Sequence, residues 1–115
     1  MRTLNDYFLT ATIPLLADIS QMYVAAPDSG RIVKVTTALA KAIGTADEDI
    51  TIKTAQGTVA PVLTITQSGS AAGDVDSIVP TANNYVAEGE TIEIENDGAS
   101  SGTLTACTVT LVIRR

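Results

Sequence analysis

Two pairs of carboxylates stand at alternate positions, Asp74/Asp76 and Glu93/Glu95, and alternate residues of an extended chain point to the same side. Such a pair is the minimum equipment of a glycosidase-like site, where one carboxyl protonates the leaving group and the other acts as base or nucleophile. That chemistry also needs a cleft and aromatic side chains to grip the sugar, and the chain has one Phe, three Tyr and no Trp. The pairs are therefore expected to be solvated on a sheet face. The chain has no histidine, which removes the commonest general base near neutral pH and the commonest metal ligand, and with them any Ser–His–Asp or Cys–His mechanism. GDVDS (73–77) and TADEDIT (45–51) gather oxygen donors of the kind calcium takes, but neither has the spacing of an EF-hand loop, and both are read as acidic turns. The glycines of SGSAAGD (68–74) lack the Lys–Ser/Thr that follows a phosphate cradle. Cys107 lies mid-strand in an alternating apolar pattern and reads as a small core residue. No catalytic residue, cofactor or metal ligand is assigned, and the chain is expected not to be an enzyme.

The elements that would carry these residues are short and β-rich. VLTIT (62–66), TIEIE (91–95) and TLTACTVTLVI (103–113) are runs of β-branched residues separated by the turn-forming clusters QSGSAAGD (67–74) and NDGASSG (96–102). In TIEIE, Ile92 and Ile94 face one side and Thr91, Glu93 and Glu95 the other, the pattern of a half-buried strand. The last run places Cys107, Val109, Leu111 and Ile113 on one face and Leu104, Ala106, Thr108, Thr110 and Val112 on the other. Both faces are fairly apolar, which suits a central strand or one whose second face meets another chain. Upstream, SQMYVAA (20–26) and RIVKVTTALAKAI (31–43) read as strands around a PDSG turn, and DITIKT (49–54) places Ile50 and Ile52 inward. QG (56–57) marks a reversal into TVAPVLTITQ (58–67), whose Pro61 argues for an edge or a bulge. VDSIV (75–79) and NYVA (84–87) are weaker strands. The pattern predicts an all-β fold, an antiparallel β-sandwich of jelly-roll type.

At 115 residues the chain suits one domain. Its apolar residues are mostly small aliphatics, so the core should be thin and subunit association a plausible further source of stability. Seven basic residues against thirteen acidic ones, a net charge of −6, would repel a phosphate backbone, so no nucleic-acid partner is expected. No apolar stretch approaches a membrane span, and Met1–Asp6 does not open a secretory signal; synthesis in the cytoplasm without a cleaved leader is expected.

Residues 1–26 differ from the rest. A helix capped at Thr3 or Asn5 is conceivable, but Thr10, Thr12, Ile13 and Pro14 favour extended chain, an N-terminal arm or first strands, with residues 27–115 forming the sandwich body. Tyr7, Phe8, Leu9, Met22 and Tyr23 gather here, residue types enriched in interface cores, and they are the candidate partner or subunit contact residues; the alternative is that they pack under the sandwich.

The stretches TITQSGSAAGDVDS (64–77), PTANNYVAEGETIEIENDGASSGT (80–103) and VTLVIRR (109–115) resemble a family of small virion proteins of tailed bacteriophages, the capsid decoration or head accessory proteins. The resemblance covers roughly Gly30 to Arg115 and rests on small-residue turns joined to β-branched strands. It implies a β-sandwich or jelly-roll body, assembly as a homotrimer, a major capsid protein as partner, a place on the capsid exterior and a cementing role. It identifies no contact residues. Two other readings remain open: another virion β module, such as a head-fibre or tail-associated domain, or a carbohydrate-binding sandwich, for which Tyr85 is the body's candidate stacking residue.

Overall fold

A computed structural model describes residues 6–100 and 105–115. The proposed cap at Thr3 or Asn5, and Leu104 of the last run, lie outside the described residues. Among the described residues, ten strands form two antiparallel sheets: β1 Asp6–Ile13, β2 Gln21–Ala25, β3 Gly30–Leu39, β4 Glu48–Thr54, β5 Gly57–Thr58, β6 Leu63–Ile65, β7 Val75–Ile78, β8 Tyr85–Val86, β9 Thr91–Asn96 and β10 Cys107–Arg114. The first sheet runs β1-β10-β3-β7, with β8 also on β3; the second runs β2-β9-β4-β5, with β6 also on β4.

The pairing is nested. β1 pairs with β10, β2 with β9, β3 with β8 and β4 with β5, so the chain resembles one long antiparallel ribbon wound over itself, the jelly-roll arrangement. Alternation along each strand supplies the faces. Ile13, Ile32, Val35, Val109, Leu111 and Ile113 from the first sheet meet Ile50, Ile52, Leu63, Ile65, Ile92 and Ile94 from the second, all almost wholly buried. Each such side chain contributes roughly 1.5–3 kcal/mol through burial, so the aliphatic interior supports the fold despite its shortage of aromatics.

β10 is central, between β1 and β3, which accounts for its two apolar faces: Cys107, Val109, Leu111 and Ile113 point inward, while Thr108, Thr110 and Val112 lie half-buried on the outside. β3 stops at Leu39, so the ALAKAI tail (38–43) gives its first two residues to the strand and the other four to neither helix nor strand. The register skips Val33, with Val112 opposite Lys34 and Ile113 opposite Ile32, and this bulge turns both Val33 and Lys34 away from the core. The reversal after β4 uses Gly57, whose φ of 125° belongs to glycine's range. Pro61 stands in the gap between β5 and β6, at the edge of the second sheet, in keeping with a residue that cannot donate to a ladder.

Of the two forms open to residues 1–26, arm or first strands, the described part takes the second. β1 pairs with β10 along its whole length and β2 with β9 along its own, one strand in each sheet. Between them, Leu16 is fully buried and its N–H donates to the carbonyl of Thr105 at 2.8 Å.

Candidate functional site

The carboxylates at alternate positions do not pair with each other. On the outer face of the second sheet Glu95 accepts a hydrogen bond from Gln21 Nε2 at 2.8 Å, and Glu93 lies 3.8 Å from Lys53 Nζ. At one end of the sandwich the two acidic segments are brought together. Asp47 accepts the N–H of Gln67 and Asp74 the N–H of Ala71, each stapling a loop. Asp76 is pushed above the usual carboxylate range, first by burial and then by the charges of Asp74 and Asp47. Among the described residues, no group of three or more His, Cys, Asp or Glu converges in a way that could hold a metal ion. Cys107 is buried, and desolvation, with Glu48 nearby, pushes its thiol up to about 12.

Glu48 departs from its reading as part of a solvated acidic turn. It opens β4, is wholly buried, and accepts hydrogen bonds from Asn96 Nδ2 at 2.8 Å and from the backbone N–H groups of Gly98 and Ser100 at 2.7 and 2.8 Å. Three converging donors replace its water, which is what makes burial of a carboxylate tolerable. Asn96 extends the knot, donating to the carbonyl of Asp18 and accepting from Ser20 N–H, both at 2.8 Å. The β1–β2 connection is thereby tied to the loop after β9.

The five candidate contact residues fall in three places. Tyr7 and Leu9 point inward from β1 and Met22 points inward from β2; with Ala11 and Val24 they pack half-buried against the core. β1 and β2 edge the two sheets on one flank, while β6 and β7 approach each other on the opposite flank. Phe8 projects from the outer face of the first sheet, 46% exposed, and Tyr23 from the outer face of the second, 61% exposed. Tyr7 is partly structural: its hydroxyl donates to the backbone carbonyl of Asp28, and burial raises its pKa, with the Asp28 charge adding to the shift. Tyr23 lines a shallow cavity of about 410 Å³ with Lys53, Glu90 and Glu93, among others.

Another cavity, of about 340 Å³, was not foreseen from the sequence. Arg31, Tyr85, Arg114 and Arg115 line it, with Ser29, Gly30 and Val33. The Arg31 guanidinium sits 5.8 Å from the centre of the Tyr85 ring. Arg114 is paired with Asp6 at 2.8 Å and Arg115 with Asp28 at 3.0 Å. Cross-strand register brings these residues together, with Arg31 opposite Tyr85 on one side and Arg114 on the other, and no local spacing signals it.

The outer faces differ in kind. That of the second sheet carries Asp49, Glu93, Glu95 and Lys53. That of the first carries Thr10, Thr12, Thr108, Thr110, Thr36 and Ala38 in register, uncharged until Lys34 and the arginine end are reached.

No family model matches the chain, and no curated protein matches it in sequence. Solved structures do share its fold. A chain in the acid-stable capsid structure of Helicobacter pylori bacteriophage KHP30 superposes with a TM-score of 0.59 at 12% identity, over 96% of this chain and 87% of that one. A family 35 carbohydrate-binding module from Clostridium thermocellum gives a TM-score of 0.52 at 18% identity, over 81% and 68%. A ruminal endo-β-1,4-mannanase gives 0.52 at 8%, over 90% of this chain and 19% of that one. At these identities the likeness is one of fold, a β-sandwich used in a phage capsid structure and in carbohydrate-active proteins.

Proposed function

We propose that this chain is a non-enzymatic virion structural protein that binds the outer surface of a phage capsid, through the major capsid protein, and stabilises the expanded shell. The observation that carries the reading is the correspondence with a chain of a phage capsid structure across nearly the full length of both. The resemblance of the turn and strand segments to decoration proteins is a separate support. A jelly roll with half-buried apolar residues along its β1–β2 flank suits a protein that works by contact. A subunit that binds only the assembled, expanded lattice stabilises it by mass action, in proportion to the logarithm of its free concentration over its dissociation constant. The protein would be made in the host cytoplasm and reside on the capsid exterior. Mixing purified protein with undecorated expanded capsids and sedimenting them is the test: co-sedimentation is expected, and its absence across a range of salt overturns the reading.

The cavity at Arg31 and Tyr85 favours a second reading, a carbohydrate-binding module, because an aromatic ring beside hydrogen-bond donors is what a sugar face and its hydroxyls require. A glycan array on which Tyr85→Ala removes the wild-type signal would support it, and an array without hits would remove it.

A further inference from the structure

A sheet edge presents unpaired backbone donors and acceptors, and monomeric β proteins protect such edges by keeping them short, interrupting them, or placing charges or proline on them. Three edge regions here follow that rule. β5 and β6 have two and three residues with Pro61 between them, β7 has four residues and carries Asp76, and β8 has two. The two edges of the remaining flank, β1 and β2, do not: β2, Gln21–Ala25, is also uncharged and free of proline, but it has five residues and β1 is the longer. β1 runs for eight residues, Asp6–Ile13, holds no proline, and is uncharged after Asp6. Among the described residues no strand pairs with its outer side.

The core is also thinner beneath β1. In one cross-strand row Leu111 and Val35 are fully buried while Leu9, their neighbour on β1, is half-buried; Tyr7 and Ala11 are likewise half-buried. Across the gap Met22 and Val24 on β2 repeat the pattern against the buried Ile92 and Ile94. On the opposite flank Leu63 and Ile65 are closed off completely. An added strand at β1 would therefore satisfy backbone groups and cover apolar side chains together.

We propose that β1 pairs antiparallel with β1 of a second copy of this chain, about a two-fold axis at Thr10, joining the two first sheets into one. Self-pairing is favoured by the pattern of the strand. In an antiparallel pair, directly opposed side chains lie on the same face. Centring on Thr10 sets Leu9 opposite Ala11 and Tyr7 opposite Ile13 on the inner face, and Phe8 opposite Thr12 on the outer, so each copy supplies what the other lacks. Charge points to the same place. Each copy carries −6, and from Tyr7 to Ala17 the chain has no charged residue, so this flank lets two copies approach with little repulsion. Such a pair is two-fold, unlike the homotrimer implied by the family resemblance, and does not depend on the virion reading.

The test is mass in solution over a range of concentration, with two substitutions at an exposed position outside the core. Wild type is expected at twice the monomer mass. Thr10→Lys, which sets two ammonium groups face to face, is expected to weaken association about tenfold or more with an unchanged circular dichroism spectrum. Thr10→Cys is expected to form an intermolecular disulfide on mild oxidation, because opposed positions at a two-fold axis lie within disulfide reach, while Thr64→Cys on the second sheet does not. A wild type that stays monomeric, an assembly that Thr10→Lys leaves intact, or one that Thr10→Cys fails to crosslink overturns the proposal.

Discussion

Single residues carry two kinds of electrostatic weight here. Glu48 is a buried carboxyl group satisfied by three donors, and Glu48→Ala would take away the acceptor of the Gly98 and Ser100 N–H groups and one of the acceptors of the Asn96 amide. A loss of about 3 kcal/mol or more is expected, read from denaturant unfolding with an unchanged m-value. Asp76 works in the other direction. Its folded pKa lies above the ordinary 3.8, so the stability linked to its proton is fully present below that value and lost as pH rises through the raised one. At neutral pH the native state carries the repulsion from Asp74 and Asp47, and Asp76→Asn is expected to raise the melting temperature slightly there. The gain should vanish on acidification below the ordinary carboxylate value, a comparison that thermal melts at several pH values make directly. The alternate spacing of the carboxylates at 74/76 and 93/95 was legible, but the burial of Glu48 was not, since its donors come from residues about fifty positions away.

At the scale of elements, the β3–β10 ladder is the seam that holds the first sheet. Leu111 is fully buried at its centre, and Leu111→Asp places an unpaired charge among aliphatic side chains; loss of the folded state by circular dichroism is expected. Gly30 begins β3 where a Cβ would meet the Arg114 carbonyl oxygen at 2.7 Å and Ile113 Cγ2 at 2.8 Å. Gly30→Ala should cost about 1–3 kcal/mol, because the obstructing atom is backbone and cannot swing aside. Denaturation midpoints of this variant and wild type check it. Strand existence along most of the chain was readable from period-two alternation. The end of β3 at Leu39 was not, because the ALAKAI segment has apolar residues suited to either state and its fate depends on which neighbours remain to pair with it.

For the molecule as a whole, nesting sets the first strand against the last and the second against the ninth. Pairs so distant in sequence require long loops to close before contacts repay them, so refolding is expected on the millisecond-to-second scale of other non-local β folds. Stopped-flow dilution from denaturant checks this, and a microsecond phase carrying the full amplitude would contradict it. The amino-acid sequence by itself determined the all-β class, most strand faces and the gathering of Tyr7, Phe8, Leu9, Met22 and Tyr23 near one end, because alternation and composition are local properties of the chain. Only the tertiary structure decided the rest. It joined the N-terminal residues to both sheets, sent Phe8 and Tyr23 to opposite faces, left Tyr7, Leu9 and Met22 along an incompletely covered flank, and assembled the Arg31, Tyr85 and Arg114 cavity. Those outcomes depend on which strands become neighbours, a choice made by the joint burial of two sheets that no single segment specifies.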